Sequence, residues 1–169
     1  MFGANEMNGM IDRVLDPVFY IDANPFIYAV EGDDNVAQPV NELFAVLRNR
    51  PAIAVTSELT LAEVLPKAGP TDRRQTYFDL IVWGGIFDLR PVTREILVET
   101  ADYRRSATRV LPDGRTVMPK LPDAIHVVTA ARSGCRLFLS TDGRIKLPSN
   151  MRLVEADREG IATLIREVT

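Results

Sequence analysis

Four acidic residues stand where a solvated carboxylate is out of place. Asp22 ends the apolar run VFYID, and Asp142 lies just past the apolar run RLFLS. Glu63 is embedded in LTLAEVL, four residues after Leu59, so it shares a helical flank with an apolar position. Asp123 follows Pro122 and opens the apolar stretch AIHVVTAA. Each has an ordinary explanation when taken alone. Asp123 suits a helix N-terminus, where the macrodipole favours an acid. Asp142 in Thr-Asp-Gly is a good turn former, and Asp22 could cap the next helix. The four together point to chemistry. Carboxylates gathered at one place repel each other and resist losing water, and such a cluster persists when a cation neutralises it. Oxygen donors without paired His or Cys select hard ions, Mg²⁺ or Mn²⁺. Those ions activate a water and clamp phosphate oxygens during an in-line displacement. With no Ser–His or Cys–His pairing nearby, the pattern points to phosphodiester hydrolysis.

The rest of the reactive inventory is sparse. His126 is the only histidine and Cys135 the only cysteine, which excludes an intramolecular disulfide and a two-His zinc site. His126, three residues after Asp123, could reach the acids as a proton carrier. A residue packed or hydrogen-bonded within the fold is the preferred reading. Cys135 reads as a small, half-buried residue at a strand start. Trp83, beside Gly84-Gly85, reads as core or interface. Neither a P-loop nor a GxGxxG turn occurs. A phosphotransferase of the haloacid dehalogenase type needs Asp-x-Asp after the first strand, and here the tripeptide is Asp22-Ala-Asn24.

The acids need a scaffold, and the periodicity supplies one. Strands are expected at Val18–Asp22, Ala52–Thr56, Ile86–Val92, Arg136–Ser140 and Arg152–Glu155. Helices are expected from Pro25 to about Glu31 with Asn24 as cap, over Val36–Arg50, from a Ser57 cap to Leu65, and over Thr71–Val82. Others follow at Thr93–Arg109, Leu121–Ser133, and from an Asp157 cap to Val168. Residues 111–118 read as a turn or small hairpin. This alternation predicts a parallel sheet with helices on both faces. Asp22 and Asp142 then fall at its carboxyl edge, where open α/β folds bind ligands. Residues 1–17 read as an N-terminal extension before a single domain over 18–169.

FYIDANPFIYAVEG, SELTLAEVL, LPDAIHVVTAA and LFLSTDGRI, in that order, resemble the four acidic motifs of PIN domains. The resemblance runs from about Val18 to Val168. It implies a three-layer α/β/α fold with a central, mainly parallel sheet of four to five strands. It also implies Mg²⁺- or Mn²⁺-dependent RNase activity. Many short bacterial members are toxins of VapBC-type toxin–antitoxin pairs, which dimerise and are inhibited by a small antitoxin. Carried across, Asp22, Glu63 and Asp123 form the metal-binding core and Asp142 completes it less directly. Ser57 and Thr141 stand where the family has small polar residues supporting the site. Arg104 matches an arginine that PIN domains often carry on the helix before the third motif, so Arg104 and its neighbour Arg105 are candidate RNA contacts. The chain departs from short toxins through residues 1–17 and the 110–120 segment. A non-catalytic PIN-like module that binds RNA or protein stays open as the alternative.

Composition sets the outer bounds. The chain has 169 residues, 46% hydrophobic and 25% charged, which suits one globular domain. No apolar run approaches a membrane span, and the N-terminus lacks the order of a signal peptide, so a cytoplasmic protein without membrane contact is expected. The net charge of −3 runs against nucleic-acid binding, though local potential decides that question. The densest basic stretch is Arg94, Arg104, Arg105 and Arg109, followed by Arg115 and Lys120. It leads directly into the Asp123 motif. The ordinary reading of this stretch is a solvated helix face with Glu95, Glu99 and Asp102 as partners.

Overall fold

Strand β1 (Phe19–Ile21) is apolar and buried at every position, as a strand covered on both faces must be. The computed structural model describes residues 19–51, 53–69 and 71–169, with the Thr71 side chain excepted. The expectations for residues 1–17, and for Val18 and Ala52 as strand starts, lie outside the described residues. After β1 come α1 (Ala23–Glu31), α2 (Asp34–Leu47), β2 (Ala54–Ser57), α3 (Leu59–Val64), α4 (Thr71–Phe78) and β3 (Phe87–Arg90). The chain continues through α5 (Arg94–Ser106), a hairpin of β4 (Arg109–Val110) and β5 (Thr116–Val117), α6 (Leu121–Arg132), β6 (Leu137–Ser140), β7 (Arg152–Glu155) and α7 (Arg158–Val168).

Five strands form one sheet in the order β3-β2-β1-β6-β7, with every neighbouring pair parallel. Alternation along β1 divides the core. Phe19 and Ile21 join Phe26, Leu43, Phe44, Tyr77 and Leu164 on the face covered by α1, α2, α4 and α7. Tyr20 turns the other way, to Val55, Val127, Ala130 and Phe138 under α5 and α6. The result is three layers, helices on both sides of a parallel sheet. Aromatic contacts tighten both faces. Tyr20 stacks on Phe138 with centroids 5.1 Å apart, and Phe26, Phe44 and Phe87 meet within 5.0–5.4 Å. Each fully buried side chain of this size stabilises the fold by about 1.5–3 kcal/mol.

Local chemistry sets the element ends. The Thr93 side chain accepts the Ile96 N–H to start α5, and Asp157 accepts the Gly160 N–H to start α7. Gly134, with φ 73°, closes α6 in the left-handed conformation that favours glycine. Several boundaries differ from the sequence reading. Helix α2 begins at Asp34, because the Asp33 side chain accepts the Asn35 N–H and turns the expected turn into a cap. Asn24 does not cap α1. Asp22 takes the cap position with extended backbone, while the Asn24 amide donates to Thr141 Oγ1 at 2.7 Å. The helix read over Thr71–Val82 ends at Phe78 and widens into one π-type turn over Asp79–Trp83, which leaves Trp83 71% exposed and outside the core. Cys135 is fully buried rather than half-buried. Among the described residues no helix is long and apolar enough to cross a membrane.

Candidate active site

The carboxyl ends of β1 and β6 lie side by side, with Ile21 paired to Leu139. Asp22 therefore leaves the sheet next to Ser140. Its carboxylate is 8% exposed and accepts the Ser140 hydroxyl at Oδ2, 2.5 Å away. Oδ1 is buried with no hydrogen-bond partner among the described residues. The Asn24 backbone N–H also favours the charged form. Burial dominates and pushes the Asp22 carboxyl up to about 6, against smaller opposing effects of Ser140 and His126.

Glu63 projects from α3 onto α6. Its Oε2 lies 2.6 Å from His126 Nε2, and His126 Nδ1 lies 2.6 Å from the Tyr20 hydroxyl. His126 is 3% exposed and Tyr20 fully buried. Burial, then the charge of Asp22, raise the Tyr20 phenol well above its ordinary value, so the hydroxyl stays protonated and must find an acceptor.

Asp123 lies in the first turn of α6, half-buried. Burial raises its carboxyl, the charges of Asp142 and Glu63 add to that, and Lys120 and His126 oppose it. Asp142 sits in the loop after β6. Its backbone N–H donates to Ser140 Oγ at 3.0 Å, and its carboxylate accepts the Arg144 N–H and guanidinium at 2.9–3.2 Å. The Arg144 hydrogen bonds hold the Asp142 carboxyl below its usual range. Asp123 and Asp142 share a cleft of about 190 Å³ with Arg109, Lys120, Arg144 and Lys146.

The structure thus gathers the four sequence-predicted acids at one sheet edge but not into a closed cage. Among the described residues no three His, Cys, Asp or Glu side chains stand ready to hold an ion together; Glu63 bonds His126 through one oxygen, and Asp142 bonds Arg144 through both. The donor set nevertheless fits a hard cation. It offers carboxylate oxygens, one of them buried and without a partner. A buried acceptor left unpaired costs about 1–3 kcal/mol, a cost that an ion at Asp22 would remove.

The predicted supporting residues divide. Ser57 is fully buried, and its hydroxyl accepts the Leu59 N–H at 3.1 Å. Thr141 is held by Asn24. Arg104 is half-buried and donates from Nε to the Pro119 carbonyl at 2.9 Å, so it braces the approach to α6. Arg105 is exposed and pairs with Asp102 at 3.2 Å. Sequence reasoning missed Tyr20, Ser140 and Arg144. A tyrosine inside a strand buried on both faces was the available signal, because its hydroxyl needs a partner there.

The sequence model of the PIN domain matches residues 19–149, which spans all four acidic motifs. The chain belongs to the PIN domain family. Its fold is that of VapC toxins. The Mycobacterium tuberculosis toxin VapC20, which cleaves the sarcin–ricin loop, superposes with a TM-score of 0.57 at 14% identity, covering 75% of this chain and 92% of that one. VapBC2 of Rickettsia felis, bound to a fragment of its promoter DNA, gives 0.56 at 14% over 81% and 97%. A toxin–antitoxin complex from Klebsiella pneumoniae gives 0.53 at 20% over 75% and 88%. A sequence comparison with curated proteins gives no match.

Proposed function

We propose that this PIN domain is a divalent-metal-dependent endoribonuclease, the toxin of a type II toxin–antitoxin pair. The observation that carries the reading is the Asp22 carboxylate, held out of water with one oxygen unpartnered and with the charge of Glu63 close by. A buried carboxylate with an unpaired oxygen suits a hydrolytic site on a polyanion when a cation neutralises it. Asp22, Glu63 and Asp123 would hold Mg²⁺ or Mn²⁺, with Asp142 completing the set. When bound, the ion supplies water activation and neutralises charge on the scissile phosphate.

The protein's own groups do the rest. Ser140 fixes the Asp22 carboxylate against rotation and holds the Asp142 backbone at the same time. Lys120, Arg109 and Arg144 line the cleft beside Asp123 and offer cations to the flanking phosphates of an RNA strand. Arg105 and Thr141 could extend that contact at the rim, while Arg104 and the buried Ser57 act by bracing the frame. By likeness to VapBC2 and the Klebsiella complex, a small antitoxin is the expected protein partner, with a homodimer as the working form and the cytoplasm as its place.

The absence of a closed cage among the described residues is the observation that favours a non-catalytic RNA- or protein-binding module instead. Cleavage of a mixed RNA pool with Mg²⁺ or Mn²⁺, by partner-free protein, decides between the two. The nuclease reading expects cutting that EDTA and Asp22→Asn both abolish, with circular dichroism unchanged. Binding without cutting would support the module, and equal cutting by wild type and variant would mean a contaminant.

A further inference from the structure

We infer that Tyr20 and His126 are positioning residues that orient Glu63 toward the divalent cation of the acid site. The inference rests on the metal-dependent reading above.

Glu63 needs such a restraint. It stands on α3, a helix of only six residues, and its side chain is 29% exposed. A glutamate there has several rotamers within reach. One contact selects among them, the 2.6 Å bond from His126 Nε2 to Oε2. An ionised carboxylate only accepts, so Nε2 must carry the proton. In a ring with one proton, Nδ1 is then an acceptor, and the Tyr20 hydroxyl stands 2.6 Å from it. The Tyr20 hydroxyl can donate to that nitrogen, so its bond and the Glu63 bond reinforce the same tautomer of His126. Tyr20 is itself immobile, on the central strand, stacked on Phe138 and meeting the His126 ring edge-on at 5.7 Å. The relay carries the rigidity of the sheet centre to a carboxylate on a short surface helix. Because it engages only Oε2, it leaves the second oxygen for the ion. Outer partners of this kind set ligand orientation and affinity in metal sites.

A buried polar pair that merely satisfies its own hydrogen bonds would look the same in a static structure, so the test separates the two roles. His126 is the only histidine, so untagged ¹⁵N-labelled protein gives a single set of imidazole nitrogen signals. At a pH well above the usual imidazole range, positioning predicts an unprotonated Nδ1 and a protonated Nε2. It also predicts that Mg²⁺ shifts the Nε2–H signal. By calorimetry, Tyr20→Phe and His126→Ala should bind Mg²⁺ roughly ten-fold more weakly. His126→Gln, which keeps an N–H near Glu63, should recover most of what His126→Ala loses. Tyr20→Phe retains the ring stack and so guards against misfolding. A protonated Nδ1, or variants that lose thermal stability while binding Mg²⁺ as wild type does, would overturn the inference alone. Wild type that binds neither Mg²⁺ nor Mn²⁺ would overturn the nuclease reading and the inference with it.

Discussion

The Ser140 hydroxyl donates to Asp22 Oδ2 and accepts the Asp142 backbone N–H, so one oxygen joins the ends of two strands whose bonded residues are 118 positions apart. Ser140→Ala removes the donor and leaves a buried carboxylate with less to hold its charge. The variant should lose about 1–3 kcal/mol of stability, measured by denaturant midpoint. In metal-free protein its Asp22 carboxyl should titrate above the wild-type value of about 6, followed by the carboxyl carbon's NMR shift against pH.

Asp22 also makes the metal-free protein pH-sensitive. Its carboxyl rises from 3.8 to about 6 on folding. Between those values the folded state binds more protons than the unfolded, so stability falls as pH increases through that window. Above it the full cost applies, on the order of 3 kcal/mol from the size of the shift. Asp22→Asn keeps an acceptor for Ser140 and cannot ionise. In EDTA at neutral pH it should unfold at higher denaturant than wild type, and the gap should close toward pH 4. A variant less stable at neutral pH would refute the assignment of strain to this carboxylate.

The remaining acids should not weigh equally. Asp123 is half-buried with a raised carboxyl, whereas Asp142 is bound by Arg144 and lowered. Asp123→Asn should cut kcat by roughly 100-fold or more. Asp142→Asn should cost roughly 10-fold. Single-turnover cleavage of one RNA by both variants measures the ratio, and a reversed order would mean that Arg144 releases Asp142 when substrate binds.

RNA affinity offers a test of the basic residues. Lys120 and Arg109 are exposed and line the cleft beside Asp123. Replacing either with Ala should lower the slope of log affinity against log salt by about 0.7, the contribution of one single-strand phosphate contact. Arg104→Ala should leave the slope unchanged and lower the melting temperature, because its Nε holds the Pro119 carbonyl. Fluorescence anisotropy over a salt series reads both.

Much of this was legible in the sequence. Buried parallel strands announce themselves as apolar runs, and each of the five strands was found because VFYI-type segments alternate with helical periods. The four acids stood out by contrast with apolar neighbours. What escaped were partnerships. Asn24 was read as a cap from its position before Pro25, but α1 starts at Ala23 with Asp22 at the cap position, and the Asn24 amide instead donates to Thr141. Arg104 was read as an RNA contact, and its bond to the Pro119 carbonyl, brought near by the hairpin, was not foreseen. Ser140 looked like the last residue of a strand, and only the parallel register shows that it faces Asp22. Long-range register has no local signature.

That register also dictates when the site can come into being. β1 sits mid-sheet, and its second ladder partner is β6, which follows it only after four other strands. While residues up to Ser140 are still inside the ribosome, β1 has an open edge, Asp22 lacks its hydroxyl donor, and helix α6 with Asp123 has no completed sheet to dock on. Non-local strand pairing is slow to form. A site built on Asp22 and Asp123 therefore stays incomplete until the residues of β6 have emerged, by the order of the strands alone.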